Sequence, residues 1–267
     1  MIKRASLIII AISFHCNYSF ATQPFELNLR LYNDSSQILP ASEVCGLMPL
    51  ALNAKVRSWE ISASLPSSLL GKAYCLRHDE MGPYQSQRIS IHWSPLKASG
   101  DFVRQTSGAY DLVESPSPQL LQLANSFSEY PQADRAKQIH AWLVANIHFS
   151  GIRRGIEGAE HALRTRSGDC TEHMLLAGEL LERNGVTIRR VLGVAIPKGE
   201  RRVTAATLHN WIEYQDNGSW LVFDSSKKVL GVPESEDYIS LLFYQHSQQL
   251  FIEPFSSSLP RTKLFLQ

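Results

Sequence analysis

Three residues in the C-terminal half of the chain have the types and surroundings that nucleophilic catalysis needs: Cys170, His209 and Asp224. Cys170 stands in Ser167-Gly168-Asp169-Cys170-Thr171-Glu172-His173, which reads as a short loop turning into a helix with the cysteine at its first position. Asp169 is a strong N-cap, and Glu172 is placed to reach back to it as a capping box. Unpaired backbone N–H groups and the positive end of the helix dipole surround such a first turn, so a thiolate there is favoured. The plain alternative for a free cysteine is a small buried hydrophobe. The capped terminus, with Gly168 before it, favours the nucleophile.

Two elements must position these groups. The first is the helix itself. Met174, Leu175, Leu176, Ala177, Leu180 and Leu181 form a strong apolar run, and Asn184-Gly185 supplies a stop, so a buried helix is expected from about Cys170 to about Asn184. The second is a hairpin, Leu208 to Gln215 and Ser219 to Asp224, turned by Asn217-Gly218. Asn-Gly is the strongest short hairpin signal, and a two-residue loop fixes the register. Asp216 then faces Ser219, Gln215 faces Trp220, Glu213 faces Val222 and Trp211 faces Asp224.

Strand alternation puts His209, Trp211 and Glu213 on one face, shared with Trp220, Val222 and Asp224. His209 becomes the diagonal neighbour of Asp224, at a backbone separation of roughly 7–8 Å that longer side chains bridge. The carboxylate would hold one imidazole nitrogen and leave the other for a thiol, which is the base-and-orienter half of a nucleophilic triad. A three-residue loop would shift the register and break this geometry. Taken singly, His209 reads equally as a hydrogen-bonded strand histidine, and Asp224, followed by Ser225-Ser226, as a strand-end turn carboxylate. Zinc is the other chemistry open to Cys170, His173, His209 and Asp224. The chain has neither the close cysteine pairs of structural zinc sites nor an H-E-x-x-H motif, so no metal and no cofactor are expected. His173, one turn into the helix, is expected to pack or to orient the first turn.

The 267 residues suffice for one large domain or two modest ones. Hydrophobic content of 44%, charged content of 19% and a formal net charge of +1 describe an ordinary globular chain, and nothing in that balance argues for nucleic acid or an anionic membrane surface. Lys3 and Arg4, the apolar run Leu7 to Phe14, and Ser19-Phe20-Ala21 read as an export signal over residues 1–21, cleaved near Ala21. Periplasmic or secreted localisation follows as an expectation. Ser13-Phe14-His15-Cys16 lacks the small residues that precede a lipid-modified cysteine, and no later stretch is long and apolar enough to span a bilayer. Exported chains tend to oxidise their thiols. Cys45 and Cys75 are placed to pair, which leaves Cys170 as the odd, reactive thiol; two further free cysteines are the alternative.

Residues 22–114 read mostly as strands, with period-two alternation over Phe25 to Leu31, Arg88 to Trp93 and, more weakly, Ser58 to Leu65. Turn formers separate them at Asn33 to Ser36, Pro66-Ser67-Ser68 and Met81-Gly82-Pro83. Ser115-Pro116-Ser117-Pro118 reads as a linker into a second unit, 115–267. Helices are expected from Pro118 to Phe127 and, after an Asp134 cap, to about Ile147, and Gly151 to Gly158 reads as a basic, glycine-containing loop leading into Ala159 to Leu163. His140, Trp142 and His148 read as structural. Arg153 and Arg154 read as solvated charges, with a substrate-rim role as the lesser alternative. Thr187 to Ile196 reads as a strand with Ile188, Arg190, Leu192, Val194 and Ile196 on one face, and Pro197 to Thr207 as an exposed basic loop.

These motifs resemble the transglutaminase-like superfamily of papain-like cysteine enzymes. The matching residues are Gly168 to His173 opening a helix, Gly185 followed by Arg189 to Val194, His209-Asn210-Trp211-Ile212-Glu213-Tyr214, and Gly218 to Asp224. The likeness runs from about Pro118 to Lys228. It implies Cys170 as nucleophile, His209 as general base and acid, and Asp224 as the orienting residue. It implies an α+β fold in which the nucleophile helix packs on an antiparallel sheet, here with a small β-rich N-terminal region. The family often has Asp-Pro after the orienting residue where this chain has Asp224-Ser225. The implied substrate is a protein or peptide, attacked at an amide carbonyl to give a thioester. With water the outcome is a peptidase or amidase; with an amine it is a cross-linking transglutaminase, and a deamidating one belongs to the same alternative. A binding module with a vestigial site is the non-enzymatic alternative.

Overall fold

A computed structural model of the chain describes residues 23–52, 55–56, 58–70, 73–96, 113, 115–152, 155–245 and 247–267. The expected export signal over residues 1–21, Cys16, Arg153 and Arg154 lie outside the described residues. Among the described residues, α1 (Pro118–Ser126), α2 (Arg135–Asn146) and α4 (Cys170–Arg183) carry the expected pattern, and α3 (Ala159–Thr165) follows the loop that ends at Gly158. Ser117 caps α1, its hydroxyl accepting from Leu120 N, with Pro118 in the first turn, where its missing N–H costs nothing. Asp134 stands at the start of α2 as expected but makes no side-chain capping bond, because its own backbone is already helical (φ −97°, ψ −15°).

The helices cover one face of a seven-stranded sheet. Its order is Val229–Gly231, Ser219–Asp224, Leu208–Asp216, Ile188–Pro197, Glu236–Tyr244, Ala51–Leu52, Lys55–Val56, and the neighbouring strands are antiparallel. Ile188 and Leu192 join Leu176, Leu180 and Leu181 of α4 in one core, with α1, α2 and α3 closing over it. Each fully buried leucine contributes on the order of 2 kcal/mol there. Arg190, on the same strand face, reaches α4 and bonds Glu182 through both terminal nitrogens, at 3.1 and 2.9 Å. The opposite sheet face has its own core of Val191, Ala195, Trp211, Val222, Tyr238 and Phe243.

The N-terminal region is β-rich, as its alternation predicts. Phe25–Asn33 pairs with Ser86–Leu96, which pairs with Ser58–Ala63; Ser42–Leu47, Ala73–His78 and Ser67–Leu70 form part of a second sheet. Ser67-Ser68, expected in a turn, instead opens a strand, because the chain has already turned at Pro66 and the next residues pair with Ala73–Leu76. Cys45 faces Cys75 across two of these strands, and the two form a disulfide. This β-region shares its core with the central sheet: Phe25, Leu27, Ile89 and Trp93 pack with Val194, Ile196, Ile239 and Leu241.

Pro197 to Thr207 is only partly the free loop its polarity suggests. Arg202–Val203 pairs in parallel with Glu26–Leu27, and Val203 is fully buried. Arg201 stacks over Phe25 and pairs with Asp237 at 3.1 Å. The C-terminal end also returns to this region, as Thr262–Leu266 pairs with Leu29–Asn33. Among the described residues no helix is long and apolar enough to cross a membrane.

Candidate active site

Helix α4 begins at Cys170, and Asp169 and Glu172 form the full capping box expected of them. The Asp169 carboxylate accepts from Thr171 N at 2.7 Å, and Glu172 reaches back to Asp169 N at 3.2 Å. Glu172 has a second task, accepting from Glu157 N at 2.9 Å and so tying the loop before α3 to the first turn of α4. As the first helical residue, Cys170 has an N–H with no acceptor inside the helix. Cys170 is buried, 9% exposed, and it is the free cysteine among the described residues.

The hairpin adopts the register that Asn217-Gly218 dictates. Asp216 faces Ser219, Gln215 faces Trp220 and Glu213 faces Val222, and both turn residues have positive φ, 45° and 77°. His209 and Asp224 therefore meet as diagonal neighbours: His209 Nε2 lies 2.6 Å from Asp224 Oδ2. The Cys170 thiol interacts with the same imidazole. Because Nε2 faces the carboxylate, Nδ1 is the nitrogen left for the thiol. The structure thus brings together all three residues that the sequence singled out.

Asp224 uses its two oxygens differently. Oδ1 caps the following turn, accepting from Ser226 N at 3.0 Å, Ser226 Oγ at 2.7 Å and Lys227 N at 3.1 Å. Oδ2 faces His209. The strand-end turn carboxylate and the histidine partner are one residue doing both. Burial alone would raise the carboxyl pKa, but the His209 charge and these hydrogen bonds hold it well below the usual range. Burial likewise lowers the His209 pKa, and the Asp224 charge and hydrogen bond overcome it, pushing it up to about 10.

Other contacts lock the frame. Trp211 stacks on His209 with ring centroids 6.2 Å apart and planes 17° from parallel. Gly193, directly opposite His209 on the neighbouring strand, makes room for that indole: a Cβ there would lie 2.4 Å from the Trp211 ring and 2.2 Å from the Ile239 carbonyl oxygen. Asn210 donates to Thr171 Oγ1 at 2.9 Å and accepts from the Tyr244 hydroxyl at 3.0 Å, which pins the hairpin to the first turn of α4.

His173, His140 and His148, the other histidines considered from the sequence, have different surroundings. His173 is buried, with Nδ1 2.8 Å from Ser225 Oγ, and burial lowers its pKa and keeps it neutral. It fixes the residue after Asp224. His140, packed edge-on to Phe223, has Nε2 3.3 Å from the Asp224 carbonyl oxygen. His148 is exposed. A cavity of about 360 Å³ opens beside His173, Ser225 and Ser226, between Phe149 and Lys228.

One contributor has no local sequence signal. Tyr238, on the strand Glu236–Tyr244, donates to Asp224 Oδ2 at 2.9 Å. It lies in a run of mostly apolar residues, where a tyrosine reads as core. The turn-capping role of Asp224 was detectable, since Asp-Ser-Ser after a strand is an Asx-turn pattern.

Residues 121–225 match the family model of the Transglutaminase-like superfamily, a span that contains Cys170, His209 and Asp224. No curated protein sequence matches the chain. Among solved structures, it is similar to a candidate cysteine protease from Cytophaga hutchinsonii, at 13% identity and a TM-score of 0.47 over 91% of this chain and 90% of that one. It is similar to the periplasmic domain of TgpA from Pseudomonas aeruginosa, at 14% identity and a TM-score of 0.38 over 76% of this chain and 88% of that one. It is also similar to LapG from Legionella pneumophila, at 11% identity and a TM-score of 0.36 over 52% and 78% of the two chains. The family likeness thus falls on residues 121–225, the stretch that resembles the transglutaminase-like superfamily.

Proposed function

We propose that this protein is an exported cysteine enzyme that opens amide bonds of a protein or peptide through a thioester and passes the acyl group to water. The observation that carries the reading is the meeting of a helix-start thiol, an imidazole and a buried carboxylate, with His209 Nε2 2.6 Å from Asp224 Oδ2. Cys170 is the nucleophile, His209 the general base and acid, and Asp224 the orienting residue. The thiolate Sγ attacks the carbonyl carbon, and the resulting oxyanion is met by the Cys170 N–H at the helix start. His209 gives its proton to the departing amine as the C–N bond breaks, leaving the thioester. Water, deprotonated by His209, then attacks the thioester carbon, and Cys170 leaves as thiolate while His209 keeps the proton. The products are an amine and a carboxylic acid.

The Cys45–Cys75 disulfide supports the exported reading, because such bonds persist in oxidising compartments. Water as the acceptor is supported by the exposed turn Pro197–Glu200 and by the concentration of water against any amine. The test is mass-spectrometric profiling of exported proteins from cells carrying the wild type or Cys170→Ala, followed by an assay of the candidate amide with excess primary amine. New N-termini that depend on Cys170 support the hydrolase, and Gln-to-Glu conversions that depend on it replace that reading with a deamidating transglutaminase. Product that mainly carries the amine replaces the hydrolase with a transglutaminase, and identical profiles remove the catalytic reading.

A further inference from the structure

We propose that Tyr238 is a positioning residue for the reaction, one that shares the Asp224 charge with His209 and so sets how tightly the imidazolium proton is held. The inference rests on the function proposed above. The Tyr238 hydroxyl donates at 2.9 Å to Asp224 Oδ2, the same oxygen that faces His209 Nε2 at 2.6 Å. Oδ1 is filled separately by Ser226 and Lys227. The turn therefore fixes where the carboxylate sits, while Oδ2 divides its charge between two donors. The ring is fully buried, edge-on to Trp211 at 5.1 Å and to His209 at 6.4 Å, so the hydroxyl has a fixed aim.

The charged and titratable groups around this oxygen are few. His173 on α4 and His140 on α2 lie within electrostatic reach of Asp224, and Cys170 faces His209 from the start of α4. Glu236, paired with Lys227, faces the Tyr238 hydroxyl from its own strand. Burial, together with the Asp224 and Glu236 charges, raises the Tyr238 pKa, so the phenol keeps its proton and stays a donor throughout the working range. A general acid must release its proton at the working pH. His209, pressed against a buried carboxylate, holds that proton strongly. A second donor on Oδ2 draws charge away from Nε2 and loosens the hold, which eases transfer to the leaving amine.

The test reads the proton on His209 without needing a substrate. The rate at which iodoacetamide alkylates Cys170 is measured against pH, by peptide mapping, for wild type, Tyr238→Phe and site-specific 3-fluorotyrosine at 238. A thiolate–imidazolium pair gives two steps, the upper one being loss of the His209 proton. Tyr238→Phe should move the upper step to higher pH by about half a unit to one unit. Fluorotyrosine, a stronger donor, should move it down. On any amide the enzyme turns over, Tyr238→Phe should lower kcat about tenfold, the scale of one hydrogen bond to a charged group, with KM unchanged. Circular dichroism checks the fold, and if the phenylalanine variant is unfolded the fluorotyrosine arm decides. Coincident upper steps in all three proteins overturn the positioning role and leave the proposed function standing. A wild-type profile with the single step of an ordinary thiol overturns the proposed function and this role with it.

Discussion

The strand Leu208–Asp216 carries two buried ion pairs on one face, four residues apart, and they have different fates. His209 pairs with Asp224, and Glu213 pairs with Arg189. Each acid also receives a hydroxyl from the strand Glu236–Tyr244, Tyr238 for Asp224 and Ser240 for Glu213 at 3.1 Å. Burial and charge perturb both: Glu213 is raised, chiefly by burial and against the pull of Arg189, and Asp224 is lowered. The Arg189 guanidinium lies over Trp220 and Phe243, 4.4 and 4.0 Å from their ring centroids, so that pair is packed among aromatic faces and the Ser240 hydroxyl. The other meets a thiol at a helix N-terminus. A perturbed buried charge is therefore not enough to mark a site. What distinguishes the His209–Asp224 pair is a thiol at its open side, the feature on which the proposed function rests.

The largest effect that separates the two pairs is on turnover. His209→Ala should abolish amide cleavage, and Asp224→Asn should lower it by about 10⁴-fold, as expected when the orienting carboxylate is neutralised. Both variants should keep the wild-type far-UV circular dichroism. Asp224→Asn should retain more activity than His209→Ala, and unimpaired rates in both would place the pair alongside Arg189–Glu213 as structure.

Arg189→Ala gives the converse. It leaves Glu213 charged and buried without its partner, so urea unfolding should show a loss of about 3–5 kcal/mol. Protein that remains folded should alkylate at Cys170 at the wild-type rate. A stability loss below 1 kcal/mol would mean that this pair is solvated more than its burial implies.

The pH dependence of stability sharpens the contrast. His209 is raised to about 10 from 6.5, so its contribution is fully present below pH 6.5 and is lost as pH rises through about 10. Asp224 is lowered, so its contribution is present above the ordinary carboxyl range and is lost as pH falls through its folded value. Thermal unfolding of the wild type should therefore fall between pH 6.5 and 10 more steeply than that of His209→Gln. Parallel curves would show that the imidazole is neutral in the folded state.

The smallest effect concerns the two hydroxyls. Ser240→Ala removes one donor from Glu213 and should cost about 1–2 kcal/mol of stability. The pH profile of Cys170 alkylation should stay where it is. A shift there would mean that the two pairs are electrically linked along the strand.

The sequence by itself determined the parts whose causes act over a few residues. Asp169 and Glu172 start α4 at Cys170 because capping satisfies the orphan amides of the adjacent turn. Asn217-Gly218 places His209 beside Asp224 because a two-residue loop admits one register. The family match over residues 121–225 spans both of these local motifs. Only the tertiary structure decided which strand lies on the far side of Ile188–Pro197. That strand, Glu236–Tyr244, is a mostly apolar run, and it brings Tyr238 to Asp224 and Tyr244 to Asn210. The same holds for Arg202–Val203, whose basic, polar surroundings suggest a free loop, but which pairs with Glu26–Leu27 from the other end of the chain. Such pairings are set by packing and by the closure of long loops, and neither leaves a mark within the few residues that capping, turn and alternation rules can read.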